Sequence, residues 1–387
     1  MTRISIFQGL GGHDECVTPL VHTFNQIRVH CDVYINHNLL ESRGNIFQAL
    51  SIQADEFIVD AEFNVNSLPP PEANNRIFWL NCNKKKVKQL IQNNTKHTLP
   101  LIFWTTFIKD SRMFKFCQNI GLKIYGFIHS SLQNQCYEKL LAYSDTKAVT
   151  FCQGMHNILE KYDSRLINFY LPPMSRLKRT KVKRFNSSDK IRIAVPGKVN
   201  YGHRDYDLLV QFALEAQSRY PYKFEFVIAG GLAGDDGSRL INNIEANGLE
   251  QIILLPPMAS PNQSRFMKYK ELFEILESCD CALENSNSVR DDNSKISGGI
   301  NLCINFELPV LYLKGFSMYK EFRHLAYLEP EDLFKIASDN TQDLYQQKKE
   351  QAVLLKLFME EENRDCLQKE IDLALDQQNK WTTKVEI

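Results

Sequence analysis

The stretch Ser294-Lys295-Ile296-Ser297-Gly298-Gly299-Ile300-Asn301 runs directly into the apolar segment Leu302-Cys303-Ile304-Asn305-Phe306 and stops at Pro309. Small polar residues and a glycine pair at a helix start let a ligand approach bare backbone. The unpaired N–H groups and the helix dipole favour an anion there, and Lys295 adds a full positive charge. A second glycine-bearing loop, Gly197-Lys198-Val199-Asn200-Tyr201-Gly202-His203-Arg204, follows an apolar run, and Gly230-Gly231 closes another. Two histidines also sit where chemistry can be done. His13 lies in Gly11-Gly12-His13-Asp14, and His129 ends the run Phe127-Ile128. An imidazole titrates near working pH and so suits a general base. Asp14 and Glu15 either orient His13 or favour the start of the helix that follows.

Alternating strand and helix patterns must position these residues. Ile4–Phe7 reads as a strand, followed by the Gly11-Gly12 loop and a helix from about Cys16 to Ile27. Arg28–Ile35, Glu56–Val59, Arg76–Asn81, Leu99–Thr105, Leu122–His129 and Ala148–Cys152 are further strand candidates. Asn45–Gln53, Lys85–Asn93, Gln133–Ala142 and Gly154–Tyr162 read as helices between them. Leu171-Pro172-Pro173 ends this half, and the pattern restarts at Lys190–Pro196. Tyr206–Ser218, Ser238–Asn247 and Lys268–Ser278 are then helical, with strands at Phe224–Ala229, Gln251–Leu255, Cys279–Glu284 and Pro309–Leu313. Alternation of this kind implies mostly parallel sheets covered on both faces. The expected division is an N-terminal Rossmann-like domain over 1–173 and a basic linker over 174–189. A second Rossmann-like domain follows over 190–345, then a helical segment over 346–387 that packs back towards the first domain, being too apolar at Leu354, Leu355 and Leu357 to hang free.

The chain has 387 residues, which is long for one domain, and 43% hydrophobic residues supply real cores. Ten scattered cysteines form no Cys-x-x-Cys pair. They read as reduced core thiols of a cytoplasmic protein, and neither a metal site nor a cofactor is expected. No window has the apolar length of a spanning helix, and the opening strand leaves no room for a signal peptide. The net charge of zero hides an asymmetry: residues 1–200 carry 26 Lys+Arg against 15 Asp+Glu, or +11, and the remainder carries −11. The basic half, with Lys84-Lys85-Lys86 and the run over 176–184, is expected to meet an anionic acceptor or an acidic membrane surface; no nucleic-acid partner is expected.

Residues 190–325 resemble, in element order and loop positions, the donor domain of GT-B glycosyltransferases of the family 4-like, group 1 kind. Gly197-Lys198 and His203-Arg204 stand for its "Gly-Arg…Lys-Gly" loop and Ala229-Gly230-Gly231 for its "Val-Gly-Gly" strand end. Leu272–Ala282 and Ser294–Val310 match the two segments that follow. The resemblance implies two Rossmann-like domains facing each other across a cleft. It implies a nucleotide-sugar donor held without a metal by Lys198, Arg204, Lys295, Ser297, Gly298, Gly299 and Asn301, with Gly230 and Pro257 on the ribose and base side. His129 looks like the strand-terminal histidine that meets the donor sugar in the retaining family, and Gly11-Gly12-His13 looks like the general-base loop of inverting enzymes. The chain departs from the retaining pattern at Glu-x7-Glu, where Ser294 and Leu302 stand in place of the glutamates. Asp291, Asp292 and Glu284 are the nearest carboxylates. The expected function is therefore a hexosyltransferase-like glycosyltransferase acting on a glycan, lipid-linked or protein acceptor, with retention or inversion open. A non-catalytic glycosyltransferase-like subunit and a nucleotide-sugar epimerase are the rivals.

Overall fold

The computed structural model describes residues 2–8, 16–69, 71–72, 74–105, 111–128, 146–151, 153–160, 165–171, 189–232, 234–256, 267–285, 298–313, 327–338 and 342–385. The chain forms two compact units. One comprises Met1–Glu41, Asn45–Arg176 and Met359–Ile387, and the other comprises Ser42–Gly44 and Leu177–Phe358.

The first unit is built on an eight-stranded sheet: β1 (Arg3–Phe7), β2 (His30–Asn36), β3 (Ala54–Val59), β4 (Asn75–Leu80), β5 (Leu101–Trp104), β6 (Lys123–Phe127), β7 (Thr146–Thr150) and β8 (Leu166–Asn168). Their order is β3-β4-β2-β1-β5-β6-β7-β8, and every pairing is parallel. β1 and β5 are buried along their whole length, as strands covered on both faces must be. Helices Val17–Gln26, Lys84–Asn94, Ser111–Asn119 and Gln153–Glu160 occupy the crossovers. The Asn83 side chain starts the second of these by accepting the Lys86 N–H, and Val87, Leu90 and Ile91 bury its inner face.

The second unit carries β9 (Ile191–Pro196), β10 (Phe224–Ala229), β11 (Ile253–Leu254), β12 (Cys281–Glu284), β13 (Val310–Tyr312) and β14 (Tyr327–Leu328) in the order β11-β10-β9-β12-β13-β14, again all parallel. The strand order reverses direction at β9, which lies between β10 and β12. The helix Tyr206–Arg219 is capped by the Asp205 carboxylate on the Leu208 N–H and buries Tyr206, Leu209, Val210, Phe212, Ala213 and Ala216 on this sheet. Burial pushes the Cys279 thiol up to about 12 and raises those of Cys281 and Cys303 well above the usual thiol range. They are protonated at neutral pH and serve as packing groups.

Several elements differ from the sequence expectation. Only Ile46–Ala49 of the expected 45–53 helix is helical, because Asn45 caps it and Ser51 adopts a positive φ of 56° just beyond its end. His37–Arg43 forms a helix with no buried residue, so it carries no apolar stripe to announce it. β8 and β14 span three and two residues, too short to show a period. The helix expected over 133–142 lies outside the described residues.

The C-terminal helix, Gln342–Val385, places its portion from Met359 onwards in the first unit, but not all of the leucines that suggested docking are buried. Leu355 is buried, but Leu354 and Leu357 are 62% and 43% exposed. The buried face instead runs through Tyr345, Lys349, Ala352, Lys356, Met359, Asn363, Glu370 and Ala374, a spacing of three and four that keeps one stripe inward. Within the second unit, Tyr345 Oη donates to the Asp280 carbonyl (3.1 Å) and Lys348 Nζ to that of Tyr327 (2.8 Å). Within the first, Asn363 bonds both the N–H and the C=O of Tyr170 at 2.7 Å. Glu370 there accepts from Tyr125 Oη (2.5 Å) and Lys147 Nζ (2.6 Å).

A buried ionic cluster ties the starts of three strands of the first unit. Arg3 Nη1 lies 2.7 Å from Asp32 Oδ1, and Arg76 grips both oxygens of the same carboxylate, with all three side chains at most 2% exposed. Arg3 also donates to the carbonyls of Glu72 and Asn74, and Arg76 to Asn94 Oδ1. Asp32→Ala leaves two guanidinium groups buried without their anion and is expected to cost about 3–5 kcal/mol. All three tryptophans, Trp79, Trp104 and Trp381, lie in the first unit, so urea unfolding followed by tryptophan fluorescence reads this loss directly. A midpoint unchanged by the substitution would show that the cluster does not hold the sheet.

Candidate functional site

In parallel sheets, ligands settle beyond the carboxyl ends of the strands where the order reverses. In the second unit that place is the loop after β9, where three backbones converge. The Gly197 N–H donates to the Ala229 carbonyl (2.9 Å), and the Val199 N–H donates to that of Gly231 (3.0 Å), so the turn is stitched to the end of β10. A Cβ on Gly230 would sit 2.1 Å from the Gly197 carbonyl oxygen and 2.9 Å from the Lys198 nitrogen. From the other side, a Cβ on Gly299, in the first turn of the Gly298–Asn305 helix, would meet Pro196 Cβ at 3.0 Å. Gly197 itself has a φ of +96°, which L side chains rarely adopt. The turn is therefore held between a strand end that must lack a side chain and a helix start where one would crowd Pro196.

The rest of the loop curls over this turn. The Arg204 guanidinium lies over Gly197, within 2.4 Å of where a Cβ would be, and its Nη1 donates to the Lys198 carbonyl at 3.3 Å. The hydroxyl of Tyr206 donates to that carbonyl at 3.5 Å, and burial pushes this phenol up to about 12, so it remains a donor at neutral pH. The Asp205 N–H donates to the Asn285 carbonyl (2.7 Å), which ties the loop to the residue after β12. On the far side, the Tyr201 N–H donates to Asp236 Oδ2 (3.2 Å), and the Arg239 guanidinium stacks on the Tyr201 ring at 3.9 Å. Arg239 is itself paired with Asp207 at 2.6 Å. Two cationic side chains, exposed Lys198 and half-buried Arg204, thus share one loop with the Gly298–Asn305 helix start.

Of the residues singled out in the sequence, Gly197, Lys198, Arg204, Gly230 and Gly299 meet here, and Gly298 begins the helix that carries Gly299. Asn301 lies on the same helix and is fully buried, as is Asn305 one turn on. Leu302, at the position of the absent second glutamate, is 7% exposed, and Glu284 is 2% exposed at the end of β12. Gly11, Gly12, His13, Asp14, His129, Pro257, Asp291, Asp292, Lys295 and Ser297 lie outside the described residues. In chain order, His13 follows β1, the strand at which the first sheet also reverses, and His129 follows β6 directly after Ile128. Sequence reasoning missed Asn285, Tyr206, Asp236 and Arg239. Asp205 was the available signal, since an acidic residue between a loop and an apolar helical pattern marks a cap and fixes where the loop must end. Among the described residues, no group of three or more His, Cys, Asp or Glu is placed to hold a metal ion, and no helix is long and apolar enough to cross a membrane.

Comparison of the sequence with protein-family models and with curated proteins finds no match. Comparison of the structure with solved structures does. HepE from Anabaena, solved with UDP and glucose, superposes with a TM-score of 0.57 at 12% identity, over 97% of this chain and 100% of that one. A glycosyltransferase from Rickettsia africae ESF-5 gives 0.54 at 12% identity, over 97% and 99%. The fold is the two-domain, Rossmann-like GT-B type.

Gly230→Ala is expected to force the Gly197 turn outwards, costing at least ~1–3 kcal/mol of stability as an overpacked contact and disabling the loop as a ligand site. Gly248→Ala is the control: its φ of +64° carries strain of about 1–2 kcal/mol, but nothing lies within 4 Å of the new Cβ. Thermal denaturation and nucleotide-sugar binding, measured on both, should separate them; equal binding in both would remove the close approach from the site.

Proposed function

We propose that the chain is a metal-independent glycosyltransferase that moves a hexosyl group from a nucleoside-diphosphate donor to a glycan, lipid-linked or protein acceptor, as in polysaccharide biosynthesis in the cytoplasm. The observation that carries this reading is the convergence of the Gly197 turn, the Gly230 strand end and the Gly298-Gly299 helix start where the sheet order reverses. Bare N–H groups, a helix dipole and the charges of Lys198 and Arg204 offer what a departing diphosphate needs: preorganised positive charge where negative charge develops. Lys295 and Ser297 join this cradle, Asn301 steadies the helix behind it, and Gly230 and Pro257 face the ribose and base. UDP is the first nucleotide to test, because HepE is solved with it. The basic N-terminal half takes an anionic acceptor or an acidic membrane surface.

His13 and His129 are alternative centres for the chemistry. If His13 is the general base, it removes the acceptor hydroxyl proton for in-line attack, and the anomeric configuration inverts. If His129 acts instead, it hydrogen-bonds the donor sugar, and retention or inversion stays open. A second reading, a glycosyltransferase-like subunit that binds donor without turning it over, is favoured by buried Leu302 in the place of a glutamate. Turnover with any donor excludes it.

Lys198→Ala is expected to weaken nucleotide-sugar binding by about 1–3 kcal/mol, the value of a charge-assisted bond. Calorimetry with UDP-, GDP-, ADP- and CMP-sugars checks this, and unchanged affinity after Lys198→Ala and Lys295→Ala together rejects the cradle. His13→Ala is expected to cut turnover by ~10²–10⁴-fold while donor binding survives. Anomer-resolved NMR of the product, run on the His13→Ala and His129→Ala variants, distinguishes the two histidines; full activity in both removes them from the mechanism.

A further inference from the structure

A groove of about 560 Å³ lies wholly within the first unit, between the segment after β3 and the helix Lys84–Asn94, and plays no part in the donor cradle. Its two walls are clasped together at both ends. Lys86 Nζ donates to the Ala61 carbonyl at 2.7 Å, and Asn93 Nδ2 donates to that of Val65 at 3.1 Å. Those clasps are seven residues apart on the helix, about 10 Å along its axis. The opposite wall is stiffened from within: Asp60 Oδ1 accepts the N–H groups of Glu62 and Phe63, and Asn64 Oδ1 accepts that of Asn66. The groove is therefore a built feature.

What lines it between the clasps is uncommitted hydrogen-bonding capacity. Asn66, Gln89 and Gln92 are exposed and line the groove, and among the described residues their side chains make no hydrogen bond. A side-chain amide offers donors and an acceptor together, which matches a hydroxyl, itself donor and acceptor. Phe63 lines the groove half-buried and, among the described residues, makes no ring contact with another aromatic, so a face remains for apolar C–H groups. The charges are Glu62, Lys86 and Lys96, and Lys86 is already engaged by Ala61. Among the described residues, two lysines beside one glutamate leave little net charge, which does not suit a polyanion or a phosphate that would want several cations or a guanidinium fork. We infer that this groove binds a carbohydrate chain, neutral or weakly charged, through the Asn66, Gln89 and Gln92 amides with one sugar ring against Phe63. Its occupant is a neutral or weakly charged stretch of a glycan acceptor or product, held at a distance from the reacting end and separate from any anionic group the basic half meets, and this identification rests on the glycosyltransferase reading. The carbohydrate site itself does not.

The test uses the full chain on an array of immobilised neutral and uronate-containing oligosaccharides, without nucleotide sugar. The wild-type chain is expected to retain at least one oligosaccharide class. Gln89→Ala/Gln92→Ala and Asn66→Ala, exposed positions whose loss leaves the fold intact by circular dichroism, should weaken that binding at least tenfold. Thermal shift with UDP-sugars should be the same in all variants. Absence of binding by the wild-type chain, or binding unchanged in the amide variants, overturns the inference. Loss of glycan binding in the amide variants of a chain that binds no nucleotide sugar would sustain the carbohydrate site while rejecting the glycosyltransferase reading, so the two failures are distinct.

Discussion

The second unit depends on how closely three backbones approach around Gly197. The carbonyl of Gly197 occupies the space where residue 230 would place a Cβ, and Pro196 abuts the space above Gly299. Contacts of this kind leave no volume to relax into, because packed interiors transmit a displacement rather than absorb it. Fixing the turn fixes where Lys198 and Arg204 emerge and how far the Gly298–Asn305 helix start stands from them. The remaining hydrogen bonds of the loop, from Arg204 to the Lys198 carbonyl and from Asp205 to Asn285, hold a path that the glycines already permit.

Charge is used in two different ways in this chain. Around Asp32 it is buried, with two guanidinium groups sharing one carboxylate at the starts of strands. Such a cluster fixes register: Arg3, Asp32 and Arg76 meet only if β1, β2 and β4 are aligned as they are. Around Gly197 the cations instead sit on a loop, Lys198 exposed and Arg204 half-buried.

The long C-terminal helix joins the same logic. It carries an uncommon number of buried polar side chains, among them Lys349, Lys356, Asn363 and Glu370. Desolvation lowers the Lys349 pKa, against the pull of Glu307 and Asp280. Asn363 replaces a strand neighbour for Tyr170, and Glu370 is shared by Tyr125 and Lys147. Directional bonds of this type specify which turn of the helix meets which residue, something an apolar stripe alone leaves free to slide.

The sequence by itself determined the alternation of strand and helix, the doubling of the pattern and the positions of the glycine-bearing loops, because period, turn chemistry and caps are local properties of the chain. It named Gly197, Lys198, Arg204, Gly230 and Gly299 for the same reason: glycines and cations after strands are visible without a fold. It marked the C-terminal tail as apolar but not which face is buried: Leu354 and Leu357 are exposed, and the inward stripe runs through Tyr345, Lys349, Ala352 and Lys356, three and four apart. Short pieces such as β14 and the solvent-facing helix His37–Arg43 left no pattern to read. Only the tertiary structure decided that Gly230 is a glycine because Gly197 needs its space, that Asp32 is shared by two arginines, and that Asn66, Gln89 and Gln92 line one groove. Each is a contact between residues distant along the chain, and distance through space is what a linear pattern does not carry.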